Sequence, residues 1–171
     1  MLDHDDEVSD SDEESRKERN RRTTALAGGG EMSELPVTYR GVTYPWQCDH
    51  MGHMNVMWYV GKFDEATWNL FSLVGLTPSF LREKRRGMAG VQQNIAYKRE
   101  LYPGDVIVIR TQILEVKEKV IRFLHEMKND ETREIAATAE LTAVHIDTTL
   151  RTSCPLPKEV IERASGMITE R

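Results

Sequence analysis

A chain of 171 residues suits one domain with an appendage, and its 39% hydrophobic and 30% charged content is ordinary for a globular protein. No apolar run approaches the ~20 residues that span a bilayer, and two cysteines, Cys48 and Cys154, are too few for a disulfide framework. The formal charge of −5 resides in residues 1–31, which carry ten acids against five bases, so the rest is formally neutral and lacks the basic surface a nucleic-acid binder needs.

Residues 1–31 hold almost no large apolar side chains and end in Gly28-Gly29-Gly30. Such a segment cannot bury enough surface to offset its ordering entropy, and it reads as a disordered, solvated tail rather than a docking arm. Met32 opens MSELPVTYRG and offers an alternative start of translation. The opening MLDHDDEVSD is acidic where a secretory signal is basic and then apolar, so a cytoplasmic location is expected.

From Pro36 the texture changes. Residues 37–44 alternate as a strand, with Val37, Tyr39 and Thr43 on one side and Gly41 as a candidate bulge. A loop over 45–55 follows. Met57, Val60, Phe63, Thr67, Leu70, Phe71 and Val74 then recur at helical spacing, with Asn55 as N-cap and Gly75 as stop. Trp58, Ala66 and Leu73 fall off that stripe, which predicts a helix buried over much of its circumference.

After Pro78 and the basic loop REKRRG the period becomes two, with Val91, Gln93, Ile95 and Tyr97 on one face of a strand. Pro103-Gly104-Asp105, Lys117-Glu118-Lys119 and Asn129-Asp130-Glu131 are tight connections between the strands that follow, the last running over 134–146. Short connections predict antiparallel hairpins, hence a four-strand meander and an α+β architecture. The small residues of IAATAELTAV would let a helix approach closely. A domain over 32–154 is expected, with 155–171 as an extension ending in a short helix.

The chemistry is concentrated at the helix mouth. An α-helix N-terminus offers unpaired N–H groups and the positive end of its dipole, so a carbonyl aimed there would have its developing oxyanion stabilised. The loop that precedes it reads CDHMGHMN, from Cys48 to Asn55. Three titratable residues there are not needed to build a core.

With its aromatic, Cys-Asp pair, Gly-His-Met-Asn, Tyr and FDEA in the helix, the run WQCDHMGHMNVMWYVGKFDEA resembles the hotdog-fold acyl-CoA thioesterases of the 4-hydroxybenzoyl-CoA type. TYR in the first strand and YKRELYPGD fit the same pattern, and the likeness spans residues 37–146. It implies an antiparallel sheet of about five strands wrapped around one long helix, in a homodimer or homotetramer with active sites at subunit interfaces. It implies hydrolysis of an acyl-CoA without cofactor, coenzyme A being part of the substrate. Asp49 would be nucleophile or general base, the amides around Val56 and Met57 the oxyanion site, and Asn55 the helix cap or an acyl-orienting group. His50 stands where one branch of the family has proline, and Val56 where many relatives have asparagine.

Other candidates carry competing readings. Glu65 matches a helix carboxylate that another branch uses as base, yet it also suits an ion pair with Lys62 or Arg99. His53 is a candidate catalytic or acyl-contacting residue. Cys48, Asp49, His50 and His53 are close enough to suggest a metal. Zinc ligands normally come from two separated places, however, and only His125 and His145 remain, both in strands, so no metal is expected. Trp58, with neighbouring methionines and aromatics, could line an acyl tunnel or stack on a cationic acyl group. Lys98 and Arg99 could hold phosphates of coenzyme A. A non-catalytic acyl-CoA binding protein on the same fold is the alternative reading.

Overall fold

A computed structural model describes residues 35–168. The tail over 1–31 and the start at Met32 lie outside the described residues. The chain runs through β1 (Val37–Val42), a 3₁₀ turn (Pro45–Gln47), α1 (Val56–Leu73), α2 (Pro78–Lys84), β2 (Arg86–Tyr97), β3 (Val106–Val116), β4 (Val120–Asn129), β5 (Ile135–Asp147), β6 (Thr152–Ser153) and α3 (Lys158–Ser165). The strands form one antiparallel sheet in the order β1-β3-β4-β5-β2, with the short β6 beside β5. No helix among the described residues is long and apolar enough to cross a membrane.

α1 has 18 residues and is about 27 Å long. Its buried positions are Tyr59, Lys62, Phe63, Ala66, Thr67, Leu70 and Phe71. That stripe is rotated from the predicted one: Phe63, Thr67, Leu70, Phe71 and Val74 are inside, whereas Met57 is 63% exposed and Val60 also faces out. The stripe predicted from apolar residues alone misses Lys62, whose stem is buried while its ammonium donates to Tyr39 Oη at 3.2 Å and Val42 O at 3.3 Å.

Two core clusters share the helix. The first half of α1 packs Phe63 and Ala66 against Ile107, Ile109, Ala137 and Ala139. The second half packs Leu70, Phe71 and Val74 against Ile113, Phe123 and, from α3, Val160 and Ala164. Fully burying each large side chain contributes about 1.5–3 kcal/mol. Leu156 and α3 thus pack into the same core.

Between the clusters runs a buried polar chain. Thr67 Oγ1 donates to Phe63 O at 2.8 Å, so its single proton is taken and His125 Nε2, 2.9 Å away, must be the donor between them. The other ring nitrogen lies 2.6 Å from Thr111 Oγ1, which in turn lies 2.7 Å from Thr38 Oγ1, and Thr38 Oγ1 donates to Ile109 O at 3.3 Å. His125 also stacks on Phe63, with centroids 5.8 Å apart. His145 is also buried, but its Nε2 has no hydrogen-bond partner among the described residues.

Four expectations are revised. The basic stretch after Pro78 is the end of α2 and the start of β2, with Thr77 capping through Phe80 N–H, Pro78 in the first turn and Arg85 in the left-handed region at φ +51°. β2 does not form a hairpin with β3: it pairs with β5, while β3 lies between β1 and β4, so only β3-β4-β5 is a meander. The eight residues between β2 and β3 are enough for this crossing. In β1 the register shifts between Val37 and Tyr39, which turns Thr38 inward and leaves Val37 exposed. Gly41 is not the bulge; a Cβ there would come within 2.3 Å of the Tyr39 hydroxyl, so the missing side chain makes room for that ring.

Burial holds the His125 pKa down to about 3, whereas an unfolded histidine takes its proton near pH 6.5. Lowering the pH through that interval therefore favours the unfolded chain by up to about 1.4 kcal/mol per unit. His145, also held low by burial, acts with the same sign. Melting temperatures should fall from pH 7 to pH 5, and His125→Gln should melt lower at pH 7.5 but fall less steeply. An unchanged slope would contradict this account of the core.

Candidate active site

The loop entering α1 is fastened to itself and its surroundings. Cys48 and Met54 form an antiparallel bridge. Asp49 N–H donates to His53 O at 3.2 Å and Gly52 N–H to Asp49 O at 3.0 Å. Gly52 has φ +86°, a conformation that glycine adopts without strain. Met54 N–H bonds Leu101 O at 2.7 Å and Asn55 N–H bonds Gln47 O at 2.9 Å, which pins the end of the loop between two other segments.

Within this frame Asp49 has two donors. Its Oδ2 accepts from Asn55 Nδ2 at 2.7 Å and its Oδ1 from Met51 N–H at 2.9 Å. The bond from Asn55 first, and that from Met51 second, hold the carboxyl below its usual range. Asn55 serves the helix with its other atom: Oδ1 accepts from Met57 N–H at 3.0 Å, forming the predicted N-cap. The Met57 amide, one of two predicted oxyanion donors, is thus engaged by the cap. Trp58 N–H goes to Asn55 O at 2.9 Å. Among the described residues the Val56 amide meets no acceptor, which leaves it as the first-turn donor for an outside one.

A groove of about 680 Å³ opens beside this terminus, walled by His53, Val56, Tyr59, Tyr97, Lys98 and Arg99 among others. Four of the predicted site residues, His53, Val56, Lys98 and Arg99, therefore share it. Asp49 is outside the lining, one hydrogen bond from the residue that precedes Val56. Met57 faces outward, and Trp58 packs half-buried against the first core cluster of the helix. Glu65 is not brought to Asp49: it is exposed, nine residues or about 14 Å along α1 from Val56. Its charge bears on Lys62 and Tyr39, and Arg99 pairs with Glu134 at 3.4 Å instead. The loop histidines diverge, His50 being exposed while His53 Nε2 faces Glu100 at 3.5 Å. Among the described residues no three His, Cys, Asp or Glu side chains gather as a metal site would require.

Sequence reasoning did not single out Glu100 and Tyr102. Glu100 Oε2 accepts from Tyr102 Oη at 2.5 Å while its other oxygen faces His53. The segment that carries them reaches the helix mouth only because β2 crosses to the far side of β5. The backbone amides of Lys98 and Arg99 both donate to Ala136 O, at 2.8 and 3.0 Å, and fix where that crossing starts. The density of polar and aromatic residues in YKRELYPGD was the only visible signal.

A curled antiparallel sheet around one long helix, with a polar loop at the helix mouth, defines a hotdog fold of the thioesterase kind. Residues 43–164 match the family model of the thioesterase-like superfamily, and the chain belongs to that superfamily. Betainyl-CoA thioesterase from Pseudomonas aeruginosa is 23% identical over 136 residues, which cover 80% of this chain and 86% of that protein. An L-carnitine dehydrogenase/betainyl-CoA thioesterase from Rhizobium meliloti is 26% identical over 115 residues, covering 67% of this chain and 23% of that protein. The chain thus spans about a quarter of the length of the two-activity relatives it matches. Among solved structures, a hypothetical protein from Staphylococcus aureus in complex with CoA superposes with a TM-score of 0.73 at 17% identity, covering 81% of this chain and 87% of that one. A 1,4-dihydroxy-2-naphthoyl-CoA thioesterase from Synechocystis gives a TM-score of 0.67 at 18% identity, covering 74% and 93%.

Serine at position 55 retains an N-cap but removes the donor to Asp49. Asn55→Ser should change stability by no more than about 1 kcal/mol, while the Asp49 carboxyl titrates higher in a carbon-detected NMR experiment. An unmoved titration would show that Asn55 does not set the charge state of Asp49.

Proposed function

We propose that this chain hydrolyses an acyl-CoA thioester to the free acid and coenzyme A, with Asp49 as the reacting carboxylate. The observation that carries the reading is the tie from Asp49 through Asn55 to a helix terminus whose first residue, Val56, borders the groove. A carbonyl presented to the Val56 amide has its developing negative charge stabilised by a fixed donor and by the helix dipole. A carboxylate held below its usual range is ionised at neutral pH, which suits attack on the carbonyl better than proton abstraction. Attack forms a mixed anhydride and expels the coenzyme A thiolate, which takes a proton from solvent. Water then cleaves the anhydride, returning Asp49 and releasing the acid.

Other residues fall into supporting roles on this reading. His53, held by Glu100, supplies a hydrogen bond at the groove's end. Lys98, whose ammonium has no ion pair among the described residues, and Arg99 on the same rim contact phosphates of coenzyme A. The protein works as a homo-oligomer in the cytoplasm. The β2 edge carries an exposed Val91, and α1 turns Met57, Val60 and Trp68 outward, apolar surface that a second copy would cover.

Thiol release over betainyl, short, branched, aromatic and long-chain acyl-CoAs tests the activity; betainyl-CoA, which the curated relatives are named for, heads the panel. Asp49→Asn should lower turnover about 10²–10⁴-fold with the melting temperature nearly unchanged. Undiminished turnover would overturn the assignment. Light scattering should report at least a dimer, and Val91→Arg should shift it toward monomer; a monomeric wild-type protein would refute the assembly.

A further inference from the structure

We infer that a second cleft, between the end of α1, the helix α2 and the start of β2, binds an organic carboxylate with a flat apolar body. Arg82 and Arg85 hold the acid group, and Trp68, Leu81 and Met88 receive the body. The cleft measures about 450 Å³ and shares no lining residue with the groove at the helix mouth. Trp68 lies twelve residues beyond Val56, about 18 Å along α1.

Two guanidiniums of this cleft lack an acid. Arg86 is paired with Asp147, whose Oδ1 also accepts the amides of Thr149 and Leu150, each at 2.9 Å. Among the described residues Arg82 and Arg85 have no ion pair, and no carboxylate lines the cleft. Glu83 is two positions from the buried Leu81, which turns it to the opposite side of α2. Arg85 holds its place against its conformational preference. It caps α2 in the left-handed region, at φ +51° and ψ +50°, where glycine is the unstrained residue. Its N–H donates to Arg82 O at 3.2 Å, and its carbonyl accepts from Thr148 N–H at 3.1 Å, so its side chain leaves a backbone tied on both sides.

The rest of the lining is apolar. The Trp68 side chain is 43% exposed, yet Phe71 braces its ring edge to face, with centroids 5.8 Å apart and planes at 86°. Leu81 and the half-buried Met88 extend that surface. A bare anion would meet the guanidiniums and leave the apolar wall wet, and an uncharged aromatic would leave both cations unanswered. A flat carboxylate serves both, because a guanidinium presents paired donors that match its two oxygens.

Calorimetry on the full-length protein compares 2-naphthoate with 2-naphthamide, which keeps the shape and lacks the charge. The acid should bind about 10-fold or more tighter than the amide. Arg82→Gln and Arg85→Gly should each weaken the acid about 10-fold, and Trp68→Leu should weaken both ligands. Arg85→Gly should also melt higher than the wild type, because glycine suits the left-handed cap, so its lost affinity is not lost folding. Lys98→Gln, in the other groove, should leave the affinity as it is. No binding, or equal binding of acid and amide, would overturn the inference, as would loss of the acid in Lys98→Gln. Displacement of naphthoate by an equal concentration of inorganic phosphate would make this a site for any anion, and would overturn it too. Val91→Arg should bind as the wild type does, because one chain builds the whole site. Binding confined to that variant would mean that a second copy fills the cleft, and would refute the proposal.

Discussion

One side-chain amide joins the scaffold to the chemistry. Asn55 closes the first turn of α1 with its oxygen and fixes Asp49 with its nitrogen. The two bonds leave its amide plane no freedom to turn, because exchanging its two atoms would break both. The carboxylate is therefore positioned only as well as the helix itself. The helix in turn is held by Phe63, Ala66, Leu70 and Phe71, all deep in the core. A loop of short hydrogen bonds then turns a packing arrangement into a placed charge.

The sheet contributes through its connectivity rather than its strands alone. Because β2 crosses to the outer side of β5, the segment after it passes the helix mouth, where Leu101 accepts the Met54 amide and Glu100 meets His53. The groove is lined by three pieces of chain, the pre-helix loop with the start of α1, this crossing, and the β4–β5 connection from Asn129 to Ala136. Its lining combines the aromatic rings of Tyr97 and Tyr102 with the charged groups of Lys98, Arg99, Glu100, Asp105 and Glu134.

The long helix, its cap and the β-rich second half were legible because each has a strong local signature: the 3.6 period, an asparagine before the apolar run, and β-branched alternation. The short helix after Thr77 went unread because its basic residues suggested a loop, although the Thr-Pro pair marks a helix start. Strand neighbours were beyond reach, since period-two patterns state which face is buried and not which strand lies alongside. One irregularity between Val37 and Tyr39 takes Val37 off the face it was read on and turns Thr38 inward, while Tyr39 and Thr43 keep theirs. The loop residues were visible as a cluster; Glu100 and Tyr102 were not, because their meeting with His53 depends on the crossing. Lys62 was read as a surface ion-pair partner of Glu65, because a lysine at a core position is taken for a surface residue until its hydrogen bonds are known.

The buried polar chain of Thr38, Thr111, His125 and Thr67 has a consequence for how this core can change over time. Replacing any one member by an apolar isostere strands a neighbour's lone pair or hydroxyl in a dry interior. Replacing all of them at once would leave no orphan and cost little. The four positions, drawn from β1, β3, β4 and α1, are thus bound by strong epistasis. Lineages that share this chain should keep it whole or lack it whole, and hybrids of the two would fold poorly even where every residue is conservative by size.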